Sequence, residues 1–275
     1  MVPAAAAGHD RKTRGLHATL AMVSAVGDIV YVHPSAEEIM SAFSQRVLEA
    51  ELMDQPGLDE RLHRRALSGL RRLNWWSSIG DYLWSAISAR IPAERLNRLR
   101  ILDLACGGGD VALDLVRRCQ NAGASVTLDG WDKSPTAVAY ATERAARLGF
   151  KSVTFLQHDV LQDPIPCKYD AVLSTLFLHH LPTADVVTLL RRMREASDQL
   201  VVVDDLRRTR LGYWLAWGGC RLLSRSPVVH ADGPMSVRAA FSIAELRALA
   251  EQAGLTGASF KPHWPQRCLL TWERP

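Results

Sequence analysis

The run Ile101-Leu102-Asp103-Leu104-Ala105-Cys106-Gly107-Gly108-Gly109-Asp110 constrains this chain more than any other feature. An apolar segment of strand length enters a cluster of glycines and leaves as a helical pattern at Val111. Glycine adopts positive φ without strain and lets a ligand approach the backbone, so strand, glycine turn and helix together open an α/β sheet with a ligand at its carboxyl edge. Further buried runs follow at Val126 to Trp131, Val153 to Gln157, Ala171 to Leu176 and Leu200 to Asp204, with helical stretches at Val111 to Cys119, Pro135 to Leu148 and Ala184 to Ala196. That alternation predicts a parallel sheet covered on both faces, because right-handed crossovers place the helices there. Gly257 to Lys261 and Arg267 to Trp272 read as a closing hairpin. The expected fold is a doubly wound, Rossmann-like α/β architecture with a seven-stranded, mostly parallel sheet and an antiparallel C-terminal hairpin.

At 275 residues the chain is longer than a typical ~100 to 200-residue domain. The reading divides it into a loose segment 1–33, a helical lid or cap 34–97, and a catalytic domain 98–275 interrupted by an insertion at about 206–240. Ser35 and Glu38 stand at capping-box spacing and predict a helix to about Met53. Gln55-Pro56-Gly57 breaks it, and Leu58, Leu62, Ala66, Leu67 and Leu70 recur at helical spacing up to Asn74-Trp75-Trp76. A third helix is expected from Ser78 to Arg90. The insertion departs from the strand and helix rhythm, with Tyr213, Trp214, Trp217, Gly218-Gly219 and Asp232-Gly233-Pro234. Ser242 and Glu245 then cap a helix that ends at Gly254.

Composition removes several classes. Hydrophobic residues at 48% and charged residues at 23% fit a globular chain and argue against disorder, collagen and coiled coil. No run reaches the ~20 apolar residues of a membrane span. Arg11, Lys12 and Arg14 precede a weakly apolar run like a signal peptide, but Ser24, Gly27 and Asp28 interrupt it, so a cytoplasmic location is expected. The net charge of +4 is too mild for a nucleic-acid binder, and the arginine clusters read as solvated faces. Five scattered cysteines without a C-x-x-C pair suggest neither a disulfide framework nor a zinc site, and no metal is expected. A homodimer stays open.

The glycine turn alone is ambiguous. Gly107-x-Gly109-x-x-Ala112 also satisfies the dinucleotide fingerprint, with Asp132 near the ~20-residue distance of a ribose-binding acid. None of Tyr31, Tyr82, Tyr140, Tyr169 or Tyr213 is followed four residues on by lysine, so the short-chain dehydrogenase dyad is absent. Asp103 before the glycines, and Trp131-Asp132-Lys133-Ser134-Pro135 after them, shift the balance. Leu102 to Gly109 resembles the first motif of class I S-adenosylmethionine-dependent methyltransferases, and Asp132 matches the acid ending their second strand. By that resemblance Asp103 helps to hold the amino group of the cofactor, Ala105, Gly107 and Gly109 accommodate its methionine and ribose, and Asp132, beside Lys133, binds the ribose hydroxyls. Gln157-His158-Asp159-Val160 resembles the segment flanking the adenine, and Tyr169 to Ser174 resembles the fourth strand. The resemblance covers about Leu99 to Pro275, and Ala105 departs from it where the family often has glycine.

Ser174-Thr175-Leu176-Phe177-Leu178-His179-His180-Leu181-Pro182 lacks the Asn/Asp-Pro-Pro-aromatic motif of enzymes that methylate adenine or amides. The His179-His180 pair instead resembles small-molecule methyltransferases, some of which pair such histidines with an acid after the fifth strand in sugar O-methylation. Asp205 is the positional counterpart. A histidine titrates near neutrality and takes a hydroxyl proton, and a carboxylate orients it. Asn74, Trp75, Trp217 and His230 are candidate acceptor contacts. Glu51 to Pro56 and Leu73-Asn74 also look like methyltransferases that accompany bacterial polyketide synthases. The expected activity is transfer of a methyl group from S-adenosylmethionine to a small hydroxyl acceptor, a phenol, polyketide or glycoside, as part of secondary metabolism. Quinone-ring C-methylation is the near alternative, with an NAD(P) oxidoreductase or RNA methyltransferase further off.

Overall fold

The computed structural model describes residues 43–55 and 57–275, all within the unit that begins at Ala42. Two helices lead in, α1 (Glu60–Trp76) and α2 (Ile79–Ser88), and a single helical turn at Ala93–Leu96 precedes the sheet. The sheet and its connections follow as β1 (Leu99–Leu104), α3 (Asp110–Asn121), β2 (Val126–Asp132), α4 (Pro135–Arg147), β3 (Val153–Gln157), β4 (Tyr169–Thr175), α5 (Thr183–Ala196) and β5 (Ser197–Leu206). Helices α6 (Arg210–Leu223), α7 (Pro227–Ala239) and α8 (Ile243–Gln252) then precede β6 (Ser259–His263) and β7 (Arg267–Glu273).

The seven strands lie in the order β3-β2-β1-β4-β5-β7-β6. Strands β1 to β5 pair in parallel, and β7 inserts antiparallel between β5 and β6. The expected fold class is what the chain adopts. Strand order reverses between β1 and β4, and a crevice opens outside the carboxyl ends at such a switch point.

Side chains alternate between the two faces. Ile101, Leu173 and Val202 pack with Leu83, Ile87, Leu113 and Val116 beneath α2 and α3. Leu102, Leu104, Val201 and Val203 pack with Leu189, Leu190, Met193 and Leu246 beneath α5 and α8. The alternation sends Asp103 and Asp204 toward the α2/α3 face and Asp205 toward the α5 face.

Two expectations change. The helix expected to reach Met53 is absent from its described part: Phe43 to Gln45 turn, the chain runs irregularly to Glu51, and Leu52–Asp54 form one 3₁₀ turn. Tertiary partners take the backbone donors a helix would have used, since buried N–H groups need acceptors. Val47 N–H donates to the Arg238 carbonyl at 3.2 Å, and the N–H groups of Leu52 and Met53 donate to the Asp232 carboxylate at 2.9 and 3.0 Å. The Ser35/Glu38 capping box lies outside the described residues. In the second change, most of the 206–240 stretch folds as α6 and α7. Thr209 caps α6 by accepting from Gly212 N–H at 2.9 Å, and Gly233 faces Cys220 so closely that a Cβ there would collide with its sulfur.

Candidate active site

Two groups of polar side chains meet at the carboxyl edge of the sheet. The first surrounds the turn after β1. Asp103 is 1% exposed, and neither carboxylate oxygen has a partner. Burial, then the charges of Asp110 and Asp132, push its carboxyl up to about 8. The turn holds Ala105 at φ +59°, Gly107 at +52° and Gly109 at +66°. A Cβ at Gly109 would strike Phe155 and Ala141, whereas the space above Gly107 is open. Helix α3 begins directly after it, so its first N–H groups face the turn. The Asp132 carboxylate accepts Gly107 N–H at 2.7 Å and Ser134 N–H at 2.8 Å, which fixes it at the rim.

Of the other expected cofactor residues, Lys133 is exposed and pairs with Asp159 at 3.0 Å. Asp159 also accepts Leu161 N–H at 3.0 Å, and Val160 is buried. Ser174 is fully buried and donates to the Leu104 carbonyl at 3.1 Å, so its hydroxyl joins β1 to β4. The His158 ring lies against Trp131, with centroids 4.1 Å apart, beside this segment.

The second group lies between β4 and β5. Leu176 at φ +54° turns the chain after β4, and its N–H donates to the Asp204 carbonyl at 2.8 Å. The following 3₁₀ turn, Leu178–His180, presents both histidines. His179 is 3% exposed and its Nδ1 lies 2.6 Å from Asp205 Oδ1, while its backbone N–H donates to Asp205 Oδ2 at 3.1 Å. Burial acts to raise the Asp205 carboxyl, but His179 outweighs it and the net direction is down. On the far side of the ring, His179 Nε2 lies 3.8 Å from Glu51 Oε1. His180 Nδ1 lies 2.8 Å from Asp54 Oδ2 and 3.9 Å from Glu51 Oε1. Burial pulls the His180 imidazole down, yet the bond to Asp54 and the charges of Glu51, Asp54 and Asp205 carry it up to about 9. That direction favours the imidazolium form of His180.

The strap 43–55 supplies Glu51 and Asp54, which the sequence reading did not single out as site residues. It is fastened by Arg46, whose guanidinium donates to the carbonyls of His179 and Leu181 at 2.8 Å each. Ser236 donates to Glu51 at 2.5 Å. Glu51, His179 and His180 each offer one ligand atom, all within 4.8 Å of one another, so a cation could be held where no metal-ligand spacing in the sequence signalled one.

The acceptor candidates separate. Asn74 is buried; its amide donates to Asp110 at 2.9 Å and its carbonyl oxygen accepts from Arg267 at 3.1 Å. Trp75 is 78% exposed. Trp217 packs against Trp214 and under Arg221, and His230 lies in α7 with Nε2 2.7 Å from the Ser224 carbonyl, as a cap on the end of α6. None of these contacts brings any of the four against His179 or His180.

A parallel sheet with one antiparallel strand near its edge, a glycine turn after β1, and acids at the ends of β1 and β2 thus come together at the carboxyl edge, where open α/β sheets take their ligands. Residues 101–198 match the model of a methyltransferase domain. The unpartnered Asp103 and the open space at Gly107 fit an ammonium group and a backbone-hugging ligand. Ubiquinone biosynthesis O-methyltransferase of Rickettsia bellii is 26% identical over 160 residues, 52% of this chain and 61% of that protein. The chain thus spans under two thirds of that curated relative. Among solved structures, an O-methyltransferase family 2 protein of Planctomyces limnophilus in complex with apigenin has a TM-score of 0.57 at 16% identity, covering 81% of this chain and 63% of that one. Human N-acetylserotonin methyltransferase in complex with S-adenosylmethionine gives 0.53 at 16% identity, covering 86% and 66%. At these identities the structures share the fold. Among the described residues, no helix is long and apolar enough to cross a membrane.

Proposed function

We propose that this protein methylates a hydroxyl group of a small acceptor, with His179 as proton acceptor and Asp205 as the group that orients it. The observation that carries the reading is the 2.6 Å contact between His179 Nδ1 and Asp205 at the sheet edge, which commits Nδ1 to the carboxylate and leaves Nε2 as the basic nitrogen. S-adenosylmethionine supplies the methyl group on a sulfonium centre. Asp103 and the glycine turn hold its amino-acid end and Asp132 its ribose, so the chain contributes alignment above all. With that group bound, the acceptor oxygen would form the new bond to the methyl carbon as the sulfur–carbon bond breaks and its electron pair stays on sulfur. The hydroxyl proton passes to His179 Nε2, and the His180 imidazolium, held by Asp54, favours negative charge on the acceptor oxygen.

The acceptor class is a phenol, a polyketide or a glycoside. The names of the similar proteins, an O-methyltransferase of ubiquinone biosynthesis and one solved with apigenin, favour a phenol. His179→Ala should lower kcat by about 10²- to 10⁴-fold while calorimetric affinity for S-adenosylhomocysteine stays within twofold. An unchanged kcat on the phenolic acceptor identified by screening would remove the base from the account.

A further inference from the structure

A buried charge is costly unless an opposite charge answers it, so buried cations are normally paired. Arg144 is not. It lies in α4 at 9% exposure and, among the described residues, meets no carboxylate within ion-pair distance. Its one hydrogen bond runs from Nη1 to the Gly108 carbonyl at 3.2 Å, and its guanidinium lies 5.8 Å from the centre of the Tyr140 ring. Burial above all, together with the like charges of Arg71 and Arg147, lowers the Arg144 pKa, and Asp110 opposes them from beyond ion-pair distance.

Arg144 lines a cleft of about 290 Å³ between α1, α3 and α4. None of Asp103, Gly107, Asp132, His179 and His180 lines it, so it is separate from both groups of the candidate active site. Three further arginines do: Arg71 and Arg72 from α1 and Arg117 from α3. Arg72 donates to the Leu223 carbonyl, and Arg117, its side chain 49% exposed, reaches Asp114 only at 3.9 Å. Arg71 makes neither a hydrogen bond nor an ion pair among the described residues. The acids of the cleft are Asp110 and Asp114, and both are engaged. Asp110 accepts from Asn74 at 2.9 Å, and Asp114 accepts from Arg118 Nε at 2.8 Å. Four guanidinium groups against two carboxylates leave the cleft with an excess of two positive charges.

Two apolar side chains line the same cleft without being buried by the fold: Trp75 at 78% exposure and Leu148 at 49%. Trp75 makes no ring contact among the described residues, so its indole can take a flat ligand group. Guanidinium groups match phosphate oxygens with paired N–H donors, and a phosphate would supply the opposite charge that Arg144 lacks. We infer that this cleft binds a small organic phosphate, with its phosphate on Arg71, Arg117 and Arg144 and its ring against Trp75 and Leu148. The bond from Arg144 to Gly108 holds the buried guanidinium at the end of the cleft next to the glycine turn. The site is additional to the methyl-transfer site and does not depend on the acceptor.

The test is calorimetric titration of the full chain with phenyl phosphate and with inorganic phosphate, in the absence and presence of excess S-adenosylhomocysteine. Phenyl phosphate should bind the wild type at a single site, more tightly than inorganic phosphate, and S-adenosylhomocysteine should not displace it. The double variant Arg71→Gln, Arg117→Gln should weaken both phosphates by at least about tenfold. Both positions are exposed helix surface, where such a change leaves the fold intact. Trp75→Ala should remove the advantage of phenyl phosphate while leaving inorganic phosphate within about twofold. Failure of phenyl phosphate to bind the wild type, or unchanged binding in the double variant, would overturn the inference. Displacement by S-adenosylhomocysteine would put the anion in the other site and overturn it as well. Equal affinity of the wild type for the two phosphates would overturn the ring contact, and with it the organic ligand.

Discussion

Replacing Asp103 with asparagine removes a buried acid that the ligand-free fold holds at a cost. Its carboxyl is pushed up to about 8 in the fold, against about 3.9 in an unfolded chain. Between those values the native state keeps a proton that the unfolded state has released, so stability attributable to this group is present below about pH 4 and falls as pH rises toward 8. The slope is about 1.4 kcal/mol per pH unit. From pH 5 to pH 7 the wild type should therefore lose up to about 2.6 kcal/mol relative to Asp103→Asn. Because the group is 1% exposed, little solvent screening reduces this; coupling to Asp110 and Asp132 spreads part of it, and a difference of at least about 1 kcal/mol is expected. The amide's own unpaired donors add an offset that does not change with pH, so the slope carries the information. Urea denaturation of both proteins at pH 5, 6, 7 and 8 measures it. Saturating S-adenosylhomocysteine should flatten the difference, since its ammonium keeps the carboxylate ionised. Parallel pH profiles in the absence of ligand would refute the reasoning.

Ala105 sits at φ +59°, a conformation that costs an alanine about 1 to 2 kcal/mol, so Ala105→Gly should raise stability by about 0.5 to 1 kcal/mol after the greater freedom of the unfolded glycine is counted. Thermal melts check it, and an equal or lower Tm would count against strain at this turn. If His179 acts as a base, turnover should survive exhaustive treatment with a chelator; loss restored by Mg²⁺, Mn²⁺ or Zn²⁺ would transfer its role to a cation held by Glu51, His179 and His180.

The sheet was legible because its central strands β1, β4 and β5 are buried on both faces and read as near-continuous apolar runs, and because the glycines after β1 leave few conformations open. Capping signals placed α8 correctly, since Ser242 and Glu245 bond each other's backbone within the chain segment itself. The strap 43–55 was not legible. Its apolar spacing suits a helix, but what fixes it is a set of distant acceptors, Asp232 and the Arg238 carbonyl, that no local pattern reveals. Glu51 and Asp54 were missed as site residues for the same reason. The histidines after β4 and Asp205 near the end of β5 could be proposed from position, whereas the contact of Asp54 with His180 could not. Arg267 shows the same limit: this arginine at the start of a hairpin strand donates to Asn74, in a helix before the sheet begins, a pairing no local pattern reveals.

The central claim, that the edge of this sheet binds S-adenosylmethionine, is tested most directly by calorimetric titration of the full chain with S-adenosylmethionine, S-adenosylhomocysteine, NAD and NADP, in the wild type and in Asp132→Ala. Removal of Asp132 leaves the ribose hydroxyls unpaired and should weaken binding of the two sulfur compounds by about 1 to 3 kcal/mol. The account predicts that only those two bind the wild type and that the variant loses affinity by that amount. Preference for NAD or NADP, or equal affinity in wild type and variant, would contradict it.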